Sequence, residues 1–133
     1  MRSGIFAVIA SVIMAFSAQA EPADIEATID RQLQAFQADD FDRAFTFASP
    51  NLQRLFQSPQ NFQRMVTQGY PMVWRFSEFR FLELREESGA FWQRVMITDE
   101  QGTVHILDYR MLETAEGWRI NGVQILDSSE MNA

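Results

Sequence analysis

Three apolar runs between Phe91 and Leu126, separated by short turns, limit what this chain can fold into more than any other feature. Ala90 to Thr98 is the first run, and Asp99-Glu100-Gln101-Gly102 supplies turn chemistry after it, with a glycine that tolerates φ > 0. Thr103 to Leu112 is the second, followed by the turn Glu113-Thr114-Ala115-Glu116-Gly117, and Trp118 to Leu126 is the third. Parallel strands need crossovers of a dozen residues or more, so turns this short predict an antiparallel meander. Side chains alternate across a strand, placing Val104, Ile106, Asp108 and Arg110 on one face and His105, Leu107, Tyr109 and Met111 on the other. Both faces are largely apolar, whereas a sheet with one wet face alternates cleanly. One face is therefore expected to pack on helices and the other to be covered by something else, a second subunit included. Gly122 inside a strand pattern predicts a bulge or a close backbone approach.

The segment before the strands reads as helical. Ile25, Ile29, Leu33 and Phe36 form an apolar stripe at three- and four-residue spacing, with Asp24 or Thr28 as candidate caps. Asp39-Asp40 interrupts it and caps a second helix from about Phe41 to Ala48. Ser49-Pro50 and Ser58-Pro59 each pair a capping serine with a proline suited to the first helical turn. The second of these starts a helix over Pro59 to Gln68, with Phe62, Met65 and Val66 inward and Gly69 as its C-terminal glycine. Tyr70-Pro71 reads as extended, leading through Met72-Val73-Trp74 into an early strand that holds Phe76, Phe79, Phe81, Leu82 and Leu84. Glu86-Glu87-Ser88-Gly89 turns that strand into Phe91. Helices first and strands afterwards predict an α+β domain, with N-terminal helices packed on one face of an antiparallel sheet.

Residues 1–20 read as a signal peptide. Arg2 is the basic end, Ile5 to Phe16 the apolar stretch, and Ala18-Gln19-Ala20 the cleavage site. Glu21 to Ala133 is then a single domain, periplasmic or secreted after cleavage following Ala20, with no stable membrane insertion. Asp127 to Ala133 is polar and reads as a frayed end. Export permits disulfides, yet the chain has no cysteine, so packing must stabilise it. A domain of this length buries roughly 65% of its unfolded surface, and twelve phenylalanines and three tryptophans supply the bulk. The net charge of −7 disfavours binding to nucleic acid and to anionic membranes.

Four stretches together resemble the bacterial family DUF4864. They are Gln32-Leu33-Gln34-Ala35-Phe36 with the acidic pair after it, Ala44-Phe45-Thr46-Phe47-Ala48-Ser49-Pro50, Phe62 to Tyr70, and the strand set ending Gly117-Trp118-Arg119-Ile120-Asn121-Gly122-Val123. The resemblance implies the NTF2-like superfamily fold, a cystatin-like α+β cone whose curved sheet wraps the helices. It names no activity, because that superfamily holds isomerases, dehydratases, transport factors, accessory domains and plain ligand binders. Its catalytic members carry an aspartate or histidine near the apolar interior, and no such motif matches here residue by residue.

The candidate binding residues are Tyr70, Trp74, Trp92, Arg94, His105, Asp108, Tyr109, Arg110, Trp118 and Asn121. Tyr70, Trp74, Trp92, Tyr109 and Trp118 combine apolar rings with a polar handle and suit a pocket mouth or an ordinary core rim. Arg94 opposite Asp108 could orient a ligand carboxylate at Arg94 or Arg110, or be an interstrand salt bridge of structural value. His105, the single histidine, could act as a base or pack as a strand residue, and its parity separates it from Asp108. Asn121 could bind a ligand or hydrogen-bond backbone beside the bulge. With one histidine and no cysteine no metal site is expected, and Asp39, Asp40 and Asp42 lack a calcium-loop pattern. No cofactor and no catalytic residue is expected. The expected activity is binding of a small apolar or amphipathic molecule. The alternatives are a homodimeric interaction module using the outer sheet face, and an isomerase- or dehydratase-like enzyme.

Overall fold

Pro22 lacks an amide hydrogen and so suits the opening turn of α1 (Pro22–Gln37). The structure is a computed structural model that describes residues 21–126; the expected signal peptide and polar tail lie outside the described residues. Glu21, not Asp24 or Thr28, takes the capping position, without a side-chain hydrogen bond. Thr28 lies within the helix, where its hydroxyl reaches the Asp24 carbonyl and the Trp118 carbonyl of the last strand. At the far end Asp40 N–H bonds Ala35 O and Asp39 N–H bonds Phe36 O, while Asp39 takes φ 57°. This is a Schellman-type ending with aspartate in the left-handed position.

Three short helices follow: α2 (Phe41–Thr46), α3 (Pro50–Phe56) and α4 (Pro59–Gly69). Their amino ends are capped by Asp40, Ser49 and Ser58, each accepting from a backbone amide three residues on. Gly69 is the last residue of α4 and carries no positive φ, so the expected left-handed glycine ending is not formed; Tyr70 caps the helix instead. Pro71 then starts one further helical turn, α5 (Pro71–Trp74), where an extended lead into the sheet is predicted. A proline at N1 has its φ already set for a helix, and burial of Met72 and Val73 holds the turn.

Four strands complete the domain: β1 (Phe76–Glu87), β2 (Ala90–Asp99), β3 (Val104–Thr114) and β4 (Gly117–Leu126). They form one antiparallel sheet in the order β1-β2-β3-β4, as the short turns require. Ser88 and Gly89 both take positive φ, which matches the twist of a two-residue hairpin. Register shifts interrupt β1 twice, between Phe76 and Glu78 and between Phe81 and Leu84. A third interrupts β4, where Arg110 faces Gly122 but Met111 faces Ile120, leaving Asn121 as the extra residue. The bulge predicted from Gly122 is thus present, one position earlier.

The helices cover the inner face. Ile25, Ile29, Leu33 and Phe36 of α1 join Val95, Ile97, Leu107, Tyr109, Met111 and Ile120 in one core. Each such aliphatic side chain contributes about 1.5–3 kcal/mol on full burial. The segment between α2 and α3 pairs with the edge of β4: Ser49 N–H bonds Ile120 O at 2.8 Å and Ile120 N–H bonds Phe47 O at 2.9 Å.

The outer face covers itself. Arg94 faces Asp108 across the β2–β3 ladder, as predicted, but Arg85 of β1 is the stronger partner. Arg85 grips both carboxylate oxygens, with Nη1 at 2.9 Å from Oδ1 and Nη2 on Oδ2. Arg94 Nη2 adds a contact at 3.4 Å, and Glu83 and Glu87 bind the outer sides of the two arginines. The Asp108 side chain is only 3% exposed although it points away from the helices. Its hydrogen bonds push the Arg85 pKa further up.

Removing the carboxylate would leave two guanidinium groups facing each other over a dry patch. Breaking a fully buried pair costs about 3–5 kcal/mol, and the partial exposure of both arginines reduces that. Asp108→Ala is expected to lose about 2–3 kcal/mol in urea unfolding, with Arg85→Met and Arg94→Met each losing less. A loss below about 0.5 kcal/mol for Asp108→Ala would show that the network is merely solvated surface.

Candidate functional site

The amphipathic stripe of α4 and the short α3 lie over β3 and β4 without filling the space between them. The result is a partly open cavity of about 310 Å³. Gln32 and Phe36 of α1 form its floor together with Tyr109 of β3. Leu52 and Phe56 of α3, and Phe62, Met65 and Val66 of α4, form one wall. Ile120, Gly122 and Val123 of β4 form the other, and Tyr70 and Val73 close one end. The lining is predominantly apolar, and among the described residues none that line it is an acid, a base or a histidine.

Polar groups in the cavity are few. Gln32 is buried and spends its amide on the Ala44 carbonyl at 3.1 Å. Tyr70 donates to the Val123 carbonyl at 3.1 Å. Tyr109 is 1% exposed, and its hydroxyl has no hydrogen-bond partner. Burial raises its pKa, and nearby Tyr70 adds to the rise, so the phenol stays protonated across the physiological range.

Two of the ten predicted residues, Tyr70 and Tyr109, meet in this cavity. The other eight lie elsewhere, for reasons of strand parity and turn geometry. Arg94, Asp108, Arg110 and Trp92 occupy the outer face, where Trp92 lies between the Arg85 and Arg110 guanidiniums at 6.0 and 5.9 Å. Trp118 is buried on the inner face, edge-on to Phe91, away from the cavity. Asn121 accepts the Ser49 hydroxyl at 2.7 Å, so it bonds a side chain where backbone was one expectation. Phe36, Phe62, Met65 and Val66 were legible only as inward-facing helix residues. Nothing in their spacing distinguishes a cavity wall from a filled core.

His105 and Trp74 mark a second recess of about 280 Å³, shared with Pro71, Met72, Arg75 and the β2–β3 turn. His105 Nε2 lies 2.9 Å from Asp99 Oδ2, while Asp99 Oδ1 accepts from the Gln101 and Thr103 amides. The histidine thus pairs with an aspartate, and that partner is Asp99 of the turn. The His105 contact, followed by the two amides, holds the Asp99 pKa below its usual value. Opposite, Asp39 accepts from Trp74 Nε1 and Arg75 Nη2, each at 2.8 Å, and these bonds lower its pKa in that order. Arg75 stacks over the Trp74 ring at 4.2 Å. Among the described residues no three His, Asp or Glu side chains converge to hold a metal. No helix among them is long and apolar enough to cross a membrane.

Two measurements follow from these environments. A buried hydroxyl without a partner is destabilising, so Tyr109→Phe is expected to raise the stability of ligand-free protein by about 1 kcal/mol in urea unfolding. A clear loss would mean that the hydroxyl is bonded after all. Asp99 has a depressed folded pKa, so its contribution is present above the ordinary value of 3.8 and is lost as pH falls through the lower folded value. Asp99→Asn keeps the turn acceptor but loses the charge. Its stability deficit against the parent is expected at pH 6 and should close below the usual carboxylate range. A deficit constant down to pH 2 would assign it to shape alone.

The model of the family described as Domain of unknown function (DUF4864) matches residues 17–133. No curated protein and no solved structure matches the chain. The matched span contains every strand and helix described above, and the helices-then-meander order is consistent with an NTF2-like α+β architecture. On that match the chain belongs to the DUF4864 family.

Proposed function

We propose that this domain binds a small apolar or amphipathic molecule in the cavity between α3, α4 and β3–β4, and performs no chemistry on it. The observation that carries the reading is the cavity itself. A chain with abundant phenylalanine leaves about 310 Å³ unfilled against the inner sheet face, at the lower end of the range of small-molecule sites. An enzyme of isomerase or dehydratase type needs a base beside the bound molecule. The proton-bearing side chains that line this cavity are two phenols and an amide, and the His105–Asp99 pair belongs to the other recess.

The three register shifts favour a sheet curved over the helices in the manner of an NTF2-like cone, because bulges bend and twist the strand that carries them. The basic Arg2, the apolar Ile5 to Phe16 and the Ala18-Gln19-Ala20 site support export with cleavage after Ala20, so that binding takes place in the periplasm or outside the cell. The outer face, the basis of the homodimer alternative, satisfies its buried carboxylate within one chain and needs no second subunit to do so.

Native mass spectrometry of protein recovered from its own host tests the reading. The expected spectrum shows a monomer carrying a non-covalent mass of a few hundred daltons, on the scale of ligands held by such cavities. Leu52→Trp, which fills the cavity from the α3 side, should abolish that mass while the protein stays folded by circular dichroism. A dimer without retained mass would favour the interaction module, and a ligand-free monomer would count against both.

A further inference from the structure

We infer that the molecule bound in this cavity is electrically neutral and carries one hydrogen-bond acceptor, such as a ketone, ester or amide carbonyl, that receives the Tyr109 hydroxyl; this rests on the reading of the cavity as a ligand site. The Tyr109 ring is fixed in the core of β3, 1% exposed, between Leu107 and Met111; the residue lines the cavity, and its buried hydroxyl has no partner among the described residues. The neighbouring polar groups are already engaged: Tyr70 donates to Val123 O, and the Gln32 amide donates to Ala44 O. A bound acceptor would complete the bond that the Tyr109 hydroxyl leaves unmade. A purely hydrocarbon ligand would leave the donor desolvated and unpaired, which is unfavourable.

Charge is selected by the same walls. Among the described residues the lining includes no arginine or histidine to offset a carboxylate, and no aspartate or glutamate to offset an ammonium group. Arg110, the register partner of Gly122, lies on the opposite face over Trp92, and Arg85 and Arg94 on that same face are committed to Asp108. An ion entering this space would lose hydration without a counter-charge. Discrimination should therefore run against both acids and amines of the same shape, and in favour of a neutral carbonyl over its hydrocarbon counterpart.

Three probes of matched shape separate these terms: acetophenone, α-methylstyrene, in which a methylene replaces the carbonyl oxygen, and benzoate. Binding is read by ligand-observed NMR with the purified protein and its Tyr109→Phe variant. The ketone is expected to bind about three- to ten-fold more tightly than the hydrocarbon, the difference made by one buried hydrogen bond. Tyr109→Phe should remove that preference without weakening the hydrocarbon, a result that a merely structural tyrosine would not give. Benzoate should bind most weakly at neutral pH and improve as the solution is acidified toward its neutral form. Equal binding of ketone and hydrocarbon, unchanged by Tyr109→Phe, would overturn the acceptor assignment while leaving the cavity a ligand site. Benzoate binding as tightly as the ketone at neutral pH would overturn the neutrality. If none of the three binds, the cavity is not a site and the inference falls with it.

Discussion

The architecture turns on the two backbone hydrogen bonds that tie Phe47 and Ser49 to Ile120 at the bulged edge of β4. Ser49 is fully buried and serves three ends at once. Its amide pairs with the sheet, its hydroxyl oxygen caps α3 through Leu52 N–H, and its hydroxyl donates to Asn121. The start of α3 is therefore fixed to the residue that the bulge pushes out of register. The bulge leaves Asn121 unpaired in the ladder, and the ladder resumes at Gly122. Ala48, Ile120, Gly122 and Val123 all line the cavity, so the same junction that joins helices to sheet also sets the cavity's mouth.

Asp108 and Tyr109, neighbours on β3 that face opposite sides of the sheet, meet opposite surroundings. On the outer face Asp108 is enclosed by two arginines, and its lone pairs are used. That arrangement has structural value and offers little to a ligand, since both guanidiniums are also held by Glu83 and Glu87. On the inner face Tyr109, one residue further along the same strand, has no partner. An orphaned donor in a fixed, dry position costs stability in the free protein, and such costs are tolerated where a ligand meets them. The ion-pair network thus occupies one face of the sheet and the apolar cavity the other.

Much of the fold could be read from local chemistry. Ser49-Pro50 and Ser58-Pro59 became helix starts because capping and proline geometry are local. The antiparallel meander followed from turn lengths, and the Arg94–Asp108 pair from strand parity alone. Arg85 was not among the predicted partners: the bulge after Phe81 resets which β1 residues face outward, and a bulge leaves no periodic trace. Gln93 donates its amide to the Leu82 and Glu83 carbonyls at that bulge, a role that no periodicity announces. His105 was correctly separated from Asp108, yet its partner Asp99 comes from the turn, outside any strand alternation. The cavity itself depends on how far α3 and α4 stand off the sheet, which is a property of the Ser49–Asn121 junction and not of any single helix.

The turn α5 gives this arrangement a further constraint. Val73 faces the apolar cavity, whereas Pro71, Met72 and Trp74 face the polar recess that holds His105 and Asp99. A single helical turn is thus the wall between the two spaces. It is pinned at both ends, by the Tyr70 hydroxyl on Val123 O and by the Trp74 indole on Asp39. A four-residue helix has little stability of its own, so these two tethers and the burial of Met72 and Val73 determine its position. Keeping the ionic groups behind this wall preserves the low polarity of the cavity that Tyr109 lines.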